Sequence, residues 1–175
     1  SISPYKYYLK IIAGLERWRW KNKWPSEYIY VNIPAFKLQL VKNGTVVKHH
    51  NVIVGTSKNQ TPELIDTLAY IIAYPYWNVP RKISLNEIVV KAKKDSTYLK
   101  RNNYQVLTYT KEQVDPNEID WASITKDNFK YLIRQEGGSY NSLGLVKFIF
   151  PNKYSIYLHD TPTKYYFNME SRAYS

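Results

Sequence analysis

A chain of 175 residues, 44% hydrophobic and 16% aromatic, is long enough for one domain with a real core, which excludes a wholly disordered polymer. It contains no cysteine, so neither a disulfide framework nor a thiolate metal site is available to it. The net charge of +11 fits first a solvated basic surface, and after that an attraction to nucleic acid, an anionic membrane face or an acidic polymer.

No run approaches the roughly 20 apolar residues of a membrane span. Nothing reads as a signal peptide, and the chain starts at Ser1 without an initiator Met. The expectation is a piece of a longer protein, shortened at both ends. Ser3-Pro4 reads as a helix start, with Ser3 as N-cap and Pro4 at the first helical position. Tyr5, Tyr8, Leu9, Ile12 and Glu16 keep helical spacing, and Asn22 and Pro25 end the segment. The basic-aromatic run Arg17 to Trp20 is read as a helix whose tryptophans pack on a sheet while its arginines reach solvent, rather than as a nucleic-acid or membrane anchor.

Tyr28 to Asn32 reads as a strand. Phe36, Leu38 and Leu40 alternate as inward residues of the next one. Asn43-Gly44 is a type I′ hairpin signal, and Thr45 to Val54 returns as the partner strand. His49 and His50 are adjacent in that strand, point to opposite faces and cannot chelate one metal together. Leu68 to Ala73 is nearly continuously apolar, so a buried strand is expected. In Tyr74-Pro75-Tyr76-Trp77-Asn78-Val79-Pro80 two prolines stiffen a loop that carries a Tyr and a Trp, which suits either a binding wall or a packed cover.

Ser84 with Glu87 is read as a capping box opening a helix with Leu85, Ile88, Val89 and Ala92 on one face. Asp95 caps a second short helix over Ser96 to Lys100. Tyr104 to Thr110 and Phe129 to Gln135 read as strands. Glu112, Asp115, Glu118 and Asp120 lack the ligand spacing and central Gly of a calcium loop and are read as a solvated turn region. Gly137-Gly138 is a flexible connection, not a phosphate loop. After a turn at Asn141 to Leu145 a central strand follows through Phe150. Tyr154 to His159 reads as a short strand with Ile156 and Leu158 on one face and Ser155, Tyr157 and His159 on the other, stopped by Pro162.

Y-L-H-D-T-P at 157–162 and R-A-Y-S at 172–175 resemble the catalytic region of the L,D-transpeptidases, the cysteine enzymes that cross-link peptidoglycan. L-E-R-W-R-W at 15–20, the V-N-I-P-A-F hairpin opening at 31–36, P-Y-W-N-V-P at 75–80, V-D-P at 114–116 and N-S-L-G-L-V-K-F at 141–148 extend the resemblance, with departures at Tyr74, Ser142 and Leu145. In the large periplasmic members the serine is followed by His, Gly and the nucleophilic Cys. The resemblance therefore implies a thiol enzyme cut immediately before its thiol.

It implies a mainly β fold with α (α+β): the YkuD-type transpeptidase β-sandwich, with an N-terminal linker helix over 1–24, a catalytic domain over 25–175 incomplete at its C-terminus, and a helical lid inserted at about 75–138. It assigns the general base and proton donor/acceptor to His159, and an orienting role to a group on Asp160 such as its backbone carbonyl. Tyr76, Trp77, Asn78, Tyr157 and Arg172 are implied substrate contacts. Metal and organic cofactors are not required. The implied partners are peptidoglycan stem peptides, and carbapenems where the Cys is present, in the periplasm or cell envelope. Two other readings stand beside it: a non-catalytic module of the same fold that binds cell-wall peptide, and a basic β-domain that binds single-stranded nucleic acid.

Overall fold

The structure, a computed structural model, describes residues 3–20 and 24–174. It is α+β, as expected, with three antiparallel sheets and a few helices. The chain divides into two compact units, one formed by the sequence up to Pro62 together with the stretch from Tyr165, the other by Glu63–Lys164.

In the first unit, helix α1 spans Pro4–Arg19. Ser3 occupies the cap position, but its side chain bonds nothing; its carbonyl instead accepts from the N–H groups of Lys6 and Tyr7 at 3.0 and 3.2 Å. Trp18 packs against Trp24 and Tyr30, with ring centroids 5.2 and 6.0 Å away, whereas Trp20 is exposed and donates its indole N–H to Glu16. Trp18 thus makes part of the expected packing, on Tyr30, while staying about half exposed, and Trp20 reaches solvent. Asn22, expected to end the helix, lies outside the described residues.

Strands β1 (Glu27–Asn32), β2 (Lys37–Lys42) and β3 (Thr45–Asn51) form an antiparallel meander. Asn43 and Gly44 both have positive φ, 48° and 76°, as the type I′ turn requires. Two details differ from the alternation read in the sequence. Phe36 sits before the strand at φ 53°, closing a turn onto the Ile33 carbonyl. A register shift between Leu40 and Val41 then makes Val41 the buried residue, with Leu38 and Leu40 only half-buried.

The second unit holds two sheets. One has the order β10-β9-β4, from β4 (Tyr70–Ala73), β9 (Val146–Ile149) and β10 (Leu158–His159). The other has the order β5-β8-β6-β7, from β5 (Trp77–Asn78), β6 (Tyr104–Leu107), β7 (Gln113–Val114) and β8 (Leu132–Gln135). Helices α2 (Arg81–Ile83) and α3 (Val89–Lys94) are joined by a π-helical turn, Ser84–Ile88, and α4 (Tyr98–Arg101) follows. A hydrophobic core is drawn from residues 79–133 of this unit, with Ile88, Leu99, Val106, Trp121, Phe129 and Ile133 among its buried members. Each such side chain contributes about 1.5–3 kcal/mol on burial.

The expected capping box is not formed. Helix already begins at Arg81, so Ser84 lies inside it, buried, with its hydroxyl donating to the Val79 carbonyl at 3.3 Å. Pro80 at the N-cap position sets the start one turn earlier than the Ser-x-x-Glu pattern does. The apolar run before it is corrected too: Leu68, Tyr70 and Ile71 are exposed and only Ile72 is half-buried; β4 is an edge strand of its sheet and pairs only with β9. The acids of the polar turn region cap 3₁₀ turns, Asp115 accepting from Asn117 N–H and Asp120 from Ala122 N–H. Among the described residues no helix is long and apolar enough to cross a membrane.

Candidate active site

The chain between β9 and β10 is shaped by Asn152. Its amide donates to the carbonyls of Phe150 and Ile156, both at 2.7 Å, and its oxygen accepts from Tyr154 and Ile156 N–H at 3.0 and 3.1 Å. Ser155 turns at φ 55°. The strand read from Tyr154 onward is therefore a turn first, and the ladder holds only Leu158 and His159. An Asn whose side chain replaces ladder partners shortens the strand.

His159 stands at the exit of β10, paired with Lys147 of β9. Its Nδ1 lies 2.5 Å from the backbone carbonyl oxygen of Asp160. A carbonyl only accepts, so the proton is on Nδ1 and the Nε2 lone pair is free. The residue is exposed at the surface, yet the protein crowded around the ring removes enough hydration to hold its pKa below 6.5. The Lys147 charge acts in the same direction, and the Asp160 carbonyl and carboxylate oppose it. The neutral, basic form is thereby favoured.

The Asp160 carboxylate does not hold the imidazole. It pairs with the Lys164 ammonium and accepts from Leu145 N–H at 3.1 Å. Burial raises its pKa, but Lys164 and the N–H groups of Leu145 and Thr161 outweigh this, and the net shift is downward. The turn before β9 comes close enough to matter. Gly144 has φ 63°, and a Cβ there would lie 2.5 Å from Asp160 Oδ2 and 2.6 Å from its Cγ. Gly144→Ala is expected to lower the unfolding free energy by about 2 kcal/mol through left-handed strain and this clash. Chemical denaturation checks it, and a shift of the His159 ring resonances should accompany the loss.

Tyr157 meets His159 edge-on, centroids 5.7 Å apart, and the Lys147 ammonium lies 3.6 Å from the Tyr157 ring centre. Burial pushes the Tyr157 hydroxyl pKa up and the Lys147 pKa down. The other residues singled out in the sequence are placed elsewhere. Tyr76 is exposed beneath the Arg134 guanidinium at 4.7 Å. Trp77 is half-buried at 6.4 Å from Tyr104, and Asn78 lines a cleft with Lys111 and Arg134. Arg172, in the first unit, is 7% exposed, with its guanidinium donating to the carbonyls of Met169 and Phe36. Its backbone carbonyl accepts from Val54 N–H at 2.9 Å, beside a parallel bridge from Val54 to Ala173. Lys147, Gly144 and Asn152 were not singled out as site residues. The turn at Asn141 to Leu145 was legible, but what it abuts was not.

Compared with known proteins, residues 26–175 match the YkuD family model, the L,D-transpeptidase catalytic domain. This chain belongs to that family. It is also 40% identical over 147 residues to a Haemophilus influenzae protein provisionally named an L,D-transpeptidase. That match covers 84% of this chain and 30% of the relative, so the chain spans less than a third of the relative's length. In this L,D-transpeptidase domain the strand-end histidine lies within the matched region.

Proposed function

We propose that this domain performs acyl transfer on peptidoglycan stem peptides in the cell envelope. A cysteine thiolate, supplied from beyond the sequence given, attacks the carbonyl of the third stem residue, a diamino acid. The terminal D-alanine leaves as its amine, and a side-chain amine of a neighbouring stem resolves the thioester into a 3→3 cross-link. His159 takes the thiol proton at Nε2 and delivers one to the departing amine. The observation that carries this reading is the imidazole held by its Nδ1 on a backbone carbonyl at an exposed strand end, with burial lowering its pKa. The stretch at about 75–138 serves as a lid, with Tyr76, Trp77 and Asn78 as its binding wall, and residues 1–24 as a linker helix. Arg172 acts through backbone rather than substrate: its Nη1 and Nη2 already donate to the Met169 and Phe36 carbonyls, while its buried Nε has no partner among the described residues.

The sequence contains no cysteine. Incubation with a carbapenem is therefore expected to leave its intact mass unchanged, while a longer form carrying the cysteine gains one adduct per chain. A stoichiometric adduct on the cysteine-free sequence, or none on the longer form, would overturn the proposal. Binding of stem peptide without any adduct on the longer form would instead identify a non-catalytic wall-binding module.

A further inference from the structure

The face of the β10-β9-β4 sheet that carries His159 also carries a cation. Asp160 N–H donates to the Val146 carbonyl at 2.9 Å. Hydrogen-bonded and non-hydrogen-bonded pairs alternate along an antiparallel ladder, so His159 and Lys147 form a pair of the second kind. Side chains of such pairs lie closest, on one face. The Lys147 ammonium is folded onto the Tyr157 ring, which in turn meets the imidazole, so the three side chains form one cluster. Ile72 of β4 stands on the other side of Lys147.

Among the described residues Lys147 has no carboxylate partner. The nearest acid in sequence to the cluster, Asp160, is taken by Lys164. Burial already weakens the hold of Lys147 on its proton. A partly desolvated ammonium held by an aromatic face and lacking an anion is a site for one. On the reading proposed above, His159 protonates the amine of the departing D-alanine. That amine and the terminal carboxylate sit on the same carbon, so an imidazole placed at the amine brings the carboxylate to the imidazole's neighbour.

We infer that Lys147 is the specificity-determining cation that receives the terminal carboxylate of the departing residue, selecting acyl donors that end there. The inference rests on the proposed function. A donor extended by another residue, or blocked as an amide, would leave Lys147 without its anion and place a neutral group in the partly buried position.

The test titrates this protein, as it is, with diacetyl-L-lysyl-D-alanine and with the corresponding carboxamide, following the His159 ring resonances by NMR. The acid is expected to bind roughly tenfold or more tightly than the amide, as a charge-assisted hydrogen bond allows. Lys147→Met should abolish that preference and Lys147→Arg should retain it, with amide-proton dispersion reporting that each variant is folded. A cation serving packing alone would leave the acid-over-amide ratio unmoved. Equal binding of acid and amide to the unsubstituted protein, a comparison that needs no variant, overturns the inference and leaves the proposed function standing. So does a preference that survives Lys147→Met. If neither peptide perturbs His159, the proposed function falls and this inference with it.

Discussion

In a form of this domain that carries the cysteine, His159→Ala is expected to slow acylation about a thousandfold, the middle of the range for removing a positioned general base. On the proposed reading, the geometry accounts for an effect of that size. The Asp160 carbonyl fixes the tautomer, leaving Nε2 as the basic atom. Burial, and then the Lys147 charge, hold the pKa below 6.5, against the opposing pull of Asp160. At neutral pH the ring is therefore mostly unprotonated and ready to accept. The acid limb of kcat/KM is expected below the ordinary imidazole value, with activity lost as pH falls through it. Lys147→Met, which removes one of the lowering influences, should move that limb upward. His159→Gln keeps hydrogen-bonding capacity but not basicity and should be as slow as His159→Ala. Asp160→Asn leaves the orienting carbonyl in place and should cost far less. Because His159 stands at a strand end and its ring bonds only the carbonyl of its neighbour, its loss should change stability by about 1 kcal/mol or less. Single-turnover acylation followed by intact mass measures the rate. A loss smaller than tenfold would remove His159 from the proton-transfer step.

How much of this was legible before folding depends on how local each signal was. Asn43-Gly44 announced its hairpin because the requirement for two positive φ angles is written into two adjacent residues. His159 was legible through its flanking residues, and the alternation that set Tyr157 and His159 on one face agrees with their ring contact. The identity of the orienting atom was not legible, since the carboxylate and the carbonyl of Asp160 belong to the same letter. Ser84 misled because Ser-x-x-Glu describes a helix start only when nothing upstream has started it, and Pro80 had. Leu68 to Ala73 misled because an apolar run measures affinity for burial, not whether another layer is there to provide it. Lys147 was invisible as a site residue because its importance lies in the register, which pairs residues twelve positions apart.

Asn141 is the clearest case of a residue that composition could not rank, and its replacement should have the largest effect on stability. It is fully buried, at 0% exposure. Its amide nitrogen reaches the carbonyls of Pro75, Gln135 and Glu136 at 3.1, 3.3 and 2.7 Å, and its oxygen accepts from Leu143 N–H at 2.7 Å. Two N–H bonds serve three acceptors, so one is shared. Asn141→Leu keeps the volume near its original value but leaves these backbone groups without their partner. Each buried group left unsatisfied costs about 1–3 kcal/mol, and the losses are not additive, which puts the expected destabilisation at about 4 kcal/mol. The same side chain ties Pro75, before β5, to the end of β8 and to the turn that leads through Gly144 into β9. Unfolding monitored through Trp77 and Trp121, both in this unit, should register the loss, and the His159 resonances should shift with it. A destabilisation under about 1 kcal/mol would mean that water enters and satisfies the freed carbonyls, and the turn would then owe its shape to Gly144 rather than to Asn141.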